Sequence, residues 1–202
     1  MKLIFATGNA GKLREAREIL GPSFEVLGPL EAGVEGEAEE TGKTFRENSL
    51  LKAQYIFDRL HVPCFADDSG LEVDALSGAP GIYSARYASD HNFADNIDRL
   101  LSELESLPWD EPCGEVYPGG ARFRCVATLI LADGTPHFFE GTAEGRIART
   151  RSGEGGFGYD PVFVPDAFPG TTMAGLSEEV KNGISHRGAA LRKMAAWLEG
   201  YR

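Results

Sequence analysis

The start of the chain constrains the fold most strongly, because a short strand, a tight turn and a helix follow one another directly. Lys2 to Ala6 is an apolar run of strand length, and Thr7-Gly8 interrupts it. Residues 10–20 then carry apolar side chains at helical spacing, with Asn9 as the expected N-cap. Further along, strand-like runs cluster and residues 121–140 have a hairpin pattern. This order predicts a mixed α/β fold.

Composition limits the partners of the chain. The 202 residues are 42% hydrophobic and 25% charged, which is typical of a globular protein, and we predict one domain over residues 1–202. The 31 acidic and 20 basic residues give a formal net charge of −11. Such a balance excludes non-specific binding to nucleic acid, which needs a basic face. A small polyanion remains possible if local cations or a metal ion hold it.

Cysteines and apolar runs indicate the compartment. Cys64, Cys113 and Cys125 are odd in number and widely spaced, with no CxxC pair, so we expect neither a disulfide framework nor a zinc site. The first apolar run is too short for a signal peptide. The longest later run, Val126 to Ala132, is far below the ~20 residues that span a bilayer. We therefore expect a soluble, cytoplasmic protein with no membrane partner.

Two predicted helices begin with basic residues. Lys12 and Arg14 lie in the first turns of one helix, and His186 and Arg187 follow Ser185, the expected N-cap of the last helix. The helix macrodipole disfavours cations at these positions. Each pair alone is equally well explained as solvated surface groups. Two such starts in one acidic chain favour a shared anionic ligand, although the first turn lacks the spacing of a P-loop.

Carboxylates form the second candidate group. Asp67 and Asp68 follow a predicted strand over residues 62–66, at the end where α/β sheets place ligands. Adjacent strand residues point to opposite faces, so one aspartate at most faces a ligand. Glu40 lies at the end of an acidic stretch, of which residues 31–37 are equally well explained as a solvated charge run. Glu40 and one aspartate are a candidate pair for Mg²⁺.

A glycine-rich loop over residues 153–161 contains two aromatic residues, Phe157 and Tyr159. Either ring could stack on a base, because every base has a π-face. Both rings could equally fill the core beneath the loop. The sequence leaves these two interpretations open.

Six stretches stand in the following order: Thr7-Gly-Asn-Ala-Gly-Lys12, Glu40-Thr-Gly-Lys-Thr-Phe-Arg-Glu-Asn48, Ala66-Asp-Asp-Ser-Gly-Leu71, Gly78-Ala-Pro-Gly-Ile-Tyr-Ser-Ala-Arg-Tyr87, Gly156-Phe-Gly-Tyr-Asp-Pro161 and Ser185-His-Arg187. This series resembles the inosine triphosphate pyrophosphatase family, and its bacterial branch most closely. Members of that family hydrolyse deaminated purine nucleoside triphosphates. One departure is Ser49, where alanine is common in the family; it lies on a helix and affects nothing central.

The resemblance implies an elongated, two-lobed α/β fold with a long twisted mixed sheet flanked by helices and a central substrate cleft, usually as a homodimer. It implies Mg²⁺ held by Glu40 and Asp68, with Asp68 also as the catalytic proton acceptor. The residues implied in nucleotide binding are Thr7, Gly8, Asn9, Ala10, Gly11, Lys12, Ser69, Phe157, Gly158, Tyr159, Asp160, Lys181, His186 and Arg187. The implied reaction converts ITP, dITP or XTP into the monophosphate and pyrophosphate, which keeps these nucleotides out of DNA and RNA.

Base choice follows from hydrogen bonding. Hypoxanthine and xanthine present a 6-oxo acceptor, whereas adenine presents a 6-amino donor. Arginine has only donors, so Arg187 facing this position would reject adenine but not guanine. Two alternatives remain: a related pyrophosphatase for other modified or pyrimidine nucleotides, and a nucleotide sensor without activity. The pair Glu40 and Asp68 disfavours the sensor, because carboxylates beside a triphosphate are costly unless they hold a metal.

Overall fold

The structure of the protein is a computed structural model that describes residues 1–109 and 114–201, so Cys113 lies outside the described residues. The strands are β1 (Lys2–Phe5), β2 (Glu25–Leu27), β3 (Cys64–Val73), β4 (Ala121–Ile130), β5 (Pro136–Ile147) and β6 (Phe163–Pro165). The α-helices are α1 (Ala10–Leu20), α2 (Phe45–Leu60), α3 (Phe93–Glu105), α4 (Glu178–Ile184) and α5 (His186–Tyr201). None of the described helices is long and apolar enough to cross a membrane.

The described strands form one mixed sheet in the order β2-β1-β3-β4-β5-β6. β1 lies parallel to β2 and to β3, with Ile4 opposite Leu27 on one side and opposite Cys64 on the other. β5 and β6 pair antiparallel, with Ile147 opposite Phe163. Because parallel pairs and helices alternate at the start of the chain, the predicted α/β class with a mixed sheet flanked by helices is confirmed.

Side-chain caps fix the first two helices. The Asn9 side chain accepts a hydrogen bond from the Lys12 backbone N–H at 3.1 Å, and α1 has the predicted bounds. Thr44 caps α2 in the same way, accepting from the Glu47 N–H at 3.1 Å. The Glu47 carboxylate accepts from the Lys43 N–H at 2.6 Å, so Thr44 and Glu47 together hold the start of α2. The start of α1 at Asn9 is as predicted.

Two elements differ from the prediction. β3 does not end at Ala66 but continues to Val73, so Asp67 and Asp68 lie inside the strand. A short helix, α4, precedes the last helix, and Ser185 is its C-cap, with the Ser185 N–H bonded to the Lys181 carbonyl oxygen. Lys181 therefore belongs to a helix and not to a loop. A helix this short has little apolar periodicity, which is why the sequence did not reveal it.

The chain forms two compact units. The first contains residues 1–68, 125–141 and the described residues from 186 onward, and the second contains residues 69–124 and 142–185. In the second unit, the core packs α3 against the end of β3 and against β6. Its central side chains are Leu71, Val73, Ile97, Leu100, Leu104 and Phe163.

In the first unit, helices cover both faces of the sheet. Leu3, Phe5 and Phe65 lie on the face packed by α1 and α5, and the rings of Phe5 and Phe65 stack with centroids 4.4 Å apart. Ile4 and Ala66 lie on the other face, which α2 covers. This alternation along β1 and β3 decides which helix each later side chain of β3 meets.

Candidate functional site

Asp67 and Asp68 face opposite sides of the sheet in the first unit. Asp67 continues the face of Phe65 and contacts Lys12 of α1 and Arg187 of α5. Asp68 continues the face of Ala66 and contacts Lys52 of α2. The prediction that the two carboxylates point to opposite faces is confirmed, because the strand pleat continues through both residues.

Asp67 is the centre of a buried ion-pair cluster. Its Oδ1 lies 3.1 Å from Lys12 Nζ, and its Oδ2 lies 3.0 Å from Arg187 Nε. Arg187 also donates through Nη1 to the carboxylate of Glu15. Asp67 is 1% exposed and Arg187 is 2% exposed, so the pair is shielded from water.

This cluster changes the interpretation of the two basic helix starts. The anion that Lys12 and Arg187 share is a carboxylate of the protein itself, so their position no longer requires an external ligand. Arg14 differs from Lys12, because it is exposed and lies 4.0 Å from Glu18 on the same helix. The cations at these two helix starts therefore no longer indicate a bound anion by themselves, while binding of nucleotide by Lys12 and Arg187 stays a prediction.

Surrounding charges hold Asp67 in its ionised form. Burial raises the pKa of this carboxyl group, but Lys12, Arg187 and Lys52 together bring the pKa below its ordinary value of 3.8. The neighbouring Cys125 thiol shows the opposite effect, because burial and the charge of Asp67 raise its pKa. Asp67 is thus a fixed negative charge, and Cys125 is a protonated thiol.

Asp68 has a different environment. Lys52 Nζ lies 3.0 Å from Asp68 Oδ1 and 2.8 Å from Glu40 Oε1, so one ammonium bridges two carboxylates. Burial raises the pKa of Asp68, and Glu40 adds to the rise, while Lys52 and Lys12 oppose it without cancelling it. The pKa of Asp68 is therefore raised, which brings this carboxylate closer to the range of an effective proton acceptor.

The predicted metal ligands, Glu40 and Asp68, come together in the structure. Their oxygens converge on a single cation, the Lys52 ammonium, within 3.0 Å. In the described residues no group of three or more acidic, histidine or cysteine side chains has the arrangement of a metal site. Two carboxylates suit Mg²⁺, which takes its other ligands from water and substrate phosphates. The donor set fits that ion.

Sequence reasoning missed three residues of these clusters: Glu15 and Asn48, which are buried, and Lys52, which is half-buried. Glu15 follows Lys12 by three positions, and Lys52 follows Asn48 by four, so each pair lies on one face of its helix. Glu15 is 6% exposed and Asn48 is fully buried. Charged or amide residues at core spacing of a helix were the available signal.

The predicted phosphate-binding turn connects β1 with α1. Thr7 Oγ1 accepts a hydrogen bond from the Asn9 N–H at 3.1 Å, so the turn is held by its own side chains. Gly8 also lies in this turn, and Ala10, Gly11 and Lys12 form the first turn of α1. Ser69, also predicted to bind substrate, is the half-buried residue of β3 next to Asp68.

In the second unit, Asp160 organises the glycine-rich loop. Asp160 Oδ2 accepts the Phe157 N–H at 2.9 Å and lies 2.8 Å from Lys181 Nζ. The Lys181 ammonium lies 4.8 Å from the centroid of the Phe157 ring. A Cβ atom at Gly156, where φ is +73°, would come 2.1 Å from Asp160 Oδ2, so only glycine allows this contact. The loop residues Phe157 and Asp160 therefore lie next to Lys181 of α4, and their binding of nucleotide stays a prediction.

Tyr159 differs from Phe157. Its ring is 2% exposed in the core of the second unit, and its hydroxyl donates to the Ser84 carbonyl oxygen at 3.0 Å. Of the two interpretations that the sequence left open, filling the core applies to Tyr159. Phe157 is half-buried and Gly158 next to it has a φ of +65°. Stacking on a base is therefore a prediction for Phe157 and no longer for Tyr159.

The segment Ser185-His186-Arg187 is positioned by a close approach of β5 to α5. A Cβ atom at Gly141 would lie 2.1 Å from the His186 carbonyl oxygen and 2.6 Å from the Ala190 nitrogen. Glycine at this position lets the first turn of α5 rest directly on the strand. His186 and Arg187 are buried there, at 9% and 2% exposure.

Comparisons with known proteins agree with this fold. The model of the Ham1 family matches residues 3–197. The dITP/XTP pyrophosphatase of Porphyromonas gingivalis is 47% identical over 98% of this chain and 97% of its own length. The Ham1 protein of Staphylococcus aureus is 40% identical, with a TM-score of 0.83 and full coverage of both chains. That of Coxiella burnetii is 36% identical, with a TM-score of 0.84 over 99% of each chain. The resemblance predicted from the sequence is confirmed, and this chain belongs to the Ham1 family.

Proposed function

We propose that this protein hydrolyses deaminated purine nucleoside triphosphates, namely ITP, dITP and XTP, to the monophosphate and pyrophosphate. Removal of these nucleotides would prevent their incorporation into DNA and RNA. Relatives along the whole chain carry the name dITP/XTP pyrophosphatase, among them that of Yersinia pseudotuberculosis at 46% identity. The reaction is an attack of water at the α-phosphorus, with pyrophosphate as the leaving group.

The observation that supports the proposal most strongly is the difference in environment between two neighbouring carboxylates, Asp67 and Asp68. Asp67 is held ionised between Lys12 and Arg187, whereas the pKa of Asp68 is raised. A hydrolase of this kind needs a proton acceptor near the operating pH and cations for the developing phosphate charge. Paired groups whose environments shift their pKa values apart are typical of such sites. A sensor that only binds nucleotide has no need for this asymmetry.

Each residue has a defined part in the proposed reaction. Asp68 accepts the proton of the attacking water, and Lys52 holds its carboxylate in place through the 3.0 Å contact. The backbone N–H groups of the Gly8-Asn9 turn and the Lys12 ammonium neutralise charge on the triphosphate. The resemblance implies that Lys181 also binds the nucleotide.

Glu40 and Asp68 are the residues that would hold Mg²⁺. When bound, this ion supplies charge neutralisation of the phosphate oxygens and a lower pKa of the water nucleophile. The Lys52 ammonium lies within 3.0 Å of an oxygen of each carboxylate and so holds the two side chains close to each other. The convergence of these two carboxylates supports this part of the proposal, because Mg²⁺ takes its remaining ligands from water and substrate phosphates.

Arg187 and Phe157 carry the proposed recognition of the base. The Arg187 guanidinium is held in one orientation by Asp67 and Glu15, which is the support that a discriminating donor needs. A donor fixed in this way favours the 6-oxo group of hypoxanthine or xanthine over the amino group of adenine. Phe157 would stack on the purine, next to the Lys181 ammonium.

Three further features of the proposal have different support. The homodimeric state rests on the resemblance alone, and dependence on Mg²⁺ rests on the resemblance and on the pair Glu40 and Asp68. The cytoplasmic location rests on the cysteines and apolar runs of the sequence. Light scattering of the purified protein tests the homodimer directly. Cell fractionation with an antibody against the protein tests the location.

A substrate panel tests the proposed function. Pyrophosphate release is measured with ITP, dITP, XTP, ATP, GTP and dUTP in the presence of Mg²⁺. We expect release from the first three at rates at least a hundredfold above those from ATP. Release from dUTP alone would favour a pyrimidine pyrophosphatase, and binding without release from any nucleotide would favour a sensor.

A further inference from the structure

Asn48 connects the loop that contains Glu40 with the strand that contains Asp68, the two proposed metal ligands. Its Oδ1 accepts the backbone N–H of Gly42 at 2.8 Å, and its Nδ2 donates to Asp68 Oδ2 at 3.2 Å. Gly42 lies two residues after Glu40 in the loop before α2. Asn48 itself lies on the first turns of α2 and is fully buried. One side chain therefore contacts both the loop that carries Glu40 and the strand that carries Asp68.

Only an amide of this length satisfies both partners. Gly42 offers a donor and Asp68 offers an acceptor, so the residue between them needs an acceptor and a donor side by side. Aspartate would lack the donor, and leucine of similar size would lack both groups. The contact to Asp68 is a hydrogen bond to a charged group, which contributes more than one between neutral groups. Loss of the contact to Gly42 frees the loop that contains Glu40, and loss of the contact to Asp68 frees the Asp68 carboxylate.

Gly42 provides a second, independent sign of this connection. A Cβ atom on Gly42 would lie 2.6 Å from Asn48 Oδ1 and 3.0 Å from the Asn48 backbone nitrogen. The loop can therefore approach the helix this closely only with glycine at this position. A substitution at either Gly42 or Asn48 should therefore break the contact between the loop and α2.

We propose that Asn48 is a positioning residue that sets the spacing of the Glu40 and Asp68 carboxylates for a divalent cation. The inference rests on the proposed function, since it assumes that these two carboxylates hold a metal ion. Partners that orient metal ligands typically change metal affinity about 10–100-fold when they are removed. Asn48 orients Asp68 directly, through the side-chain hydrogen bond, and orients Glu40 indirectly, through the backbone of Gly42.

The test measures binding of Mn²⁺ to the nucleotide-free protein by electron paramagnetic resonance of the free ion. We expect Asn48→Leu to weaken Mn²⁺ binding about 10–100-fold, and Gly42→Ala to weaken it in the same direction. The Mg²⁺ concentration for half-maximal pyrophosphate release should rise by a similar factor, and saturating Mg²⁺ should recover most of the turnover. A purely structural defect would not be rescued by metal.

Ser49→Ala is the matched control. Ser49 is the neighbouring buried polar residue on α2, and its hydroxyl bonds to Thr128 Oγ1 at 2.7 Å, away from both carboxylates. This variant should bind Mn²⁺ within twofold of the wild type. If Asn48→Leu does not fold, the Mn²⁺ affinity of Gly42→Ala alone tests the role of Asn48. Wild-type affinity in the folded variants overturns the role of Asn48 but leaves the proposed function intact, whereas absence of Mn²⁺ binding in the wild type overturns the metal site itself.

Discussion

Asp67 and Asp68 are adjacent in one strand, yet the pKa of the first is lowered and that of the second is raised. The difference arises because the pleat directs Asp67 to Lys12 and Arg187 and directs Asp68 to Lys52 and Glu40. Two cations compensate the burial of Asp67, whereas Asp68 shares its one close cation with a second carboxylate. This asymmetry leads to the first two predictions.

Asp68→Asn should lower kcat for ITP about 10²–10⁴-fold with little change in substrate affinity, because the variant loses the proton acceptor. Steady-state kinetics at saturating Mg²⁺ measure both quantities. Asp58→Asn, which changes an exposed aspartate of α2, serves as the control and should retain wild-type turnover. An Asp68→Asn variant within a few-fold of the wild type would contradict the assignment of Asp68 as the proton acceptor.

Asp67→Asn should destabilise the protein at pH 7 by roughly 3–5 kcal/mol, because Lys12 and Arg187 lose their common buried partner. The folded state lowers the pKa of Asp67, so its contribution is fully present above the ordinary value of 3.8 and is lost as the pH falls below it. The stability gap to the wild type should therefore narrow between pH 4 and pH 3. Urea unfolding at several pH values measures the gap, and Ser49→Ala should show a constant one. A constant gap for Asp67→Asn would contradict the assignment.

Removal of the metal should abolish turnover. If Glu40 and Asp68 hold Mg²⁺, excess EDTA stops pyrophosphate release from ITP and added Mg²⁺ restores it. Calorimetric unfolding in the same buffer checks that the chelator leaves the protein folded. Undiminished activity in excess chelator would rule out the two-carboxylate metal site.

Arg187→Ala should raise KM for ITP and reduce the ITP/ATP ratio of kcat/KM by about ten- to a hundredfold, the effect of one charge-assisted hydrogen bond. Glu15→Gln is the control, since it weakens the ion pair of Arg187 but keeps the guanidinium. Kinetics with both nucleotides are measured on variants shown to be folded. Equal losses for ITP and ATP would assign Arg187 to the phosphates or to Asp67 and not to the base.

Phe157→Ala should weaken binding of ITP by roughly 1–3 kcal/mol, the usual effect of losing one aromatic ring from a base stack. Tyr159→Phe is the matched variant, because it removes a buried hydroxyl that donates to Ser84 and leaves the loop surface intact. It should lower stability by about 0.5–1.5 kcal/mol without changing KM. Fluorescence titration and thermal unfolding separate the two effects, and equal KM values for Phe157→Ala and the wild type would exclude stacking.

Local signals predicted the first helix and missed the length of β3. The cap at Asn9 and the apolar spacing up to Leu20 are encoded within one short segment, and α1 has those bounds. β3 was expected to end before Asp67 but continues to Val73. Two consecutive carboxylates inside a sheet are costly unless they have partners. Partners from distant parts of the chain remove that cost: Lys12 lies 55 positions from Asp67, and Arg187 lies 120 positions away.

The same limit applies to the candidate site. The motif around Glu40 and Asp68 was evident in the sequence, and these two residues do come together. Lys52, which bridges them, was missed because a lysine on a helix is ordinarily solvated. Burial acts to lower the pKa of Lys52, but the charges of Asp68, Asp67 and Glu40 outweigh this effect and raise it. Such mutual dependence of charged groups is visible only once the fold brings them together.

The close approach of Gly141 to the His186 carbonyl oxygen also has a consequence for mutational tolerance. Gly141 has no functional group and lies in the middle of β5, so in a random mutagenesis screen it would pass for a simple structural position. Any side chain at this position would push the first turn of α5 outwards, and Arg187 would move with it. Variants at residue 141 are therefore expected to change the nucleotide preference through the displacement of Arg187. A screen for altered nucleotide preference should recover substitutions at this glycine, which has no side chain of its own to bind a nucleotide.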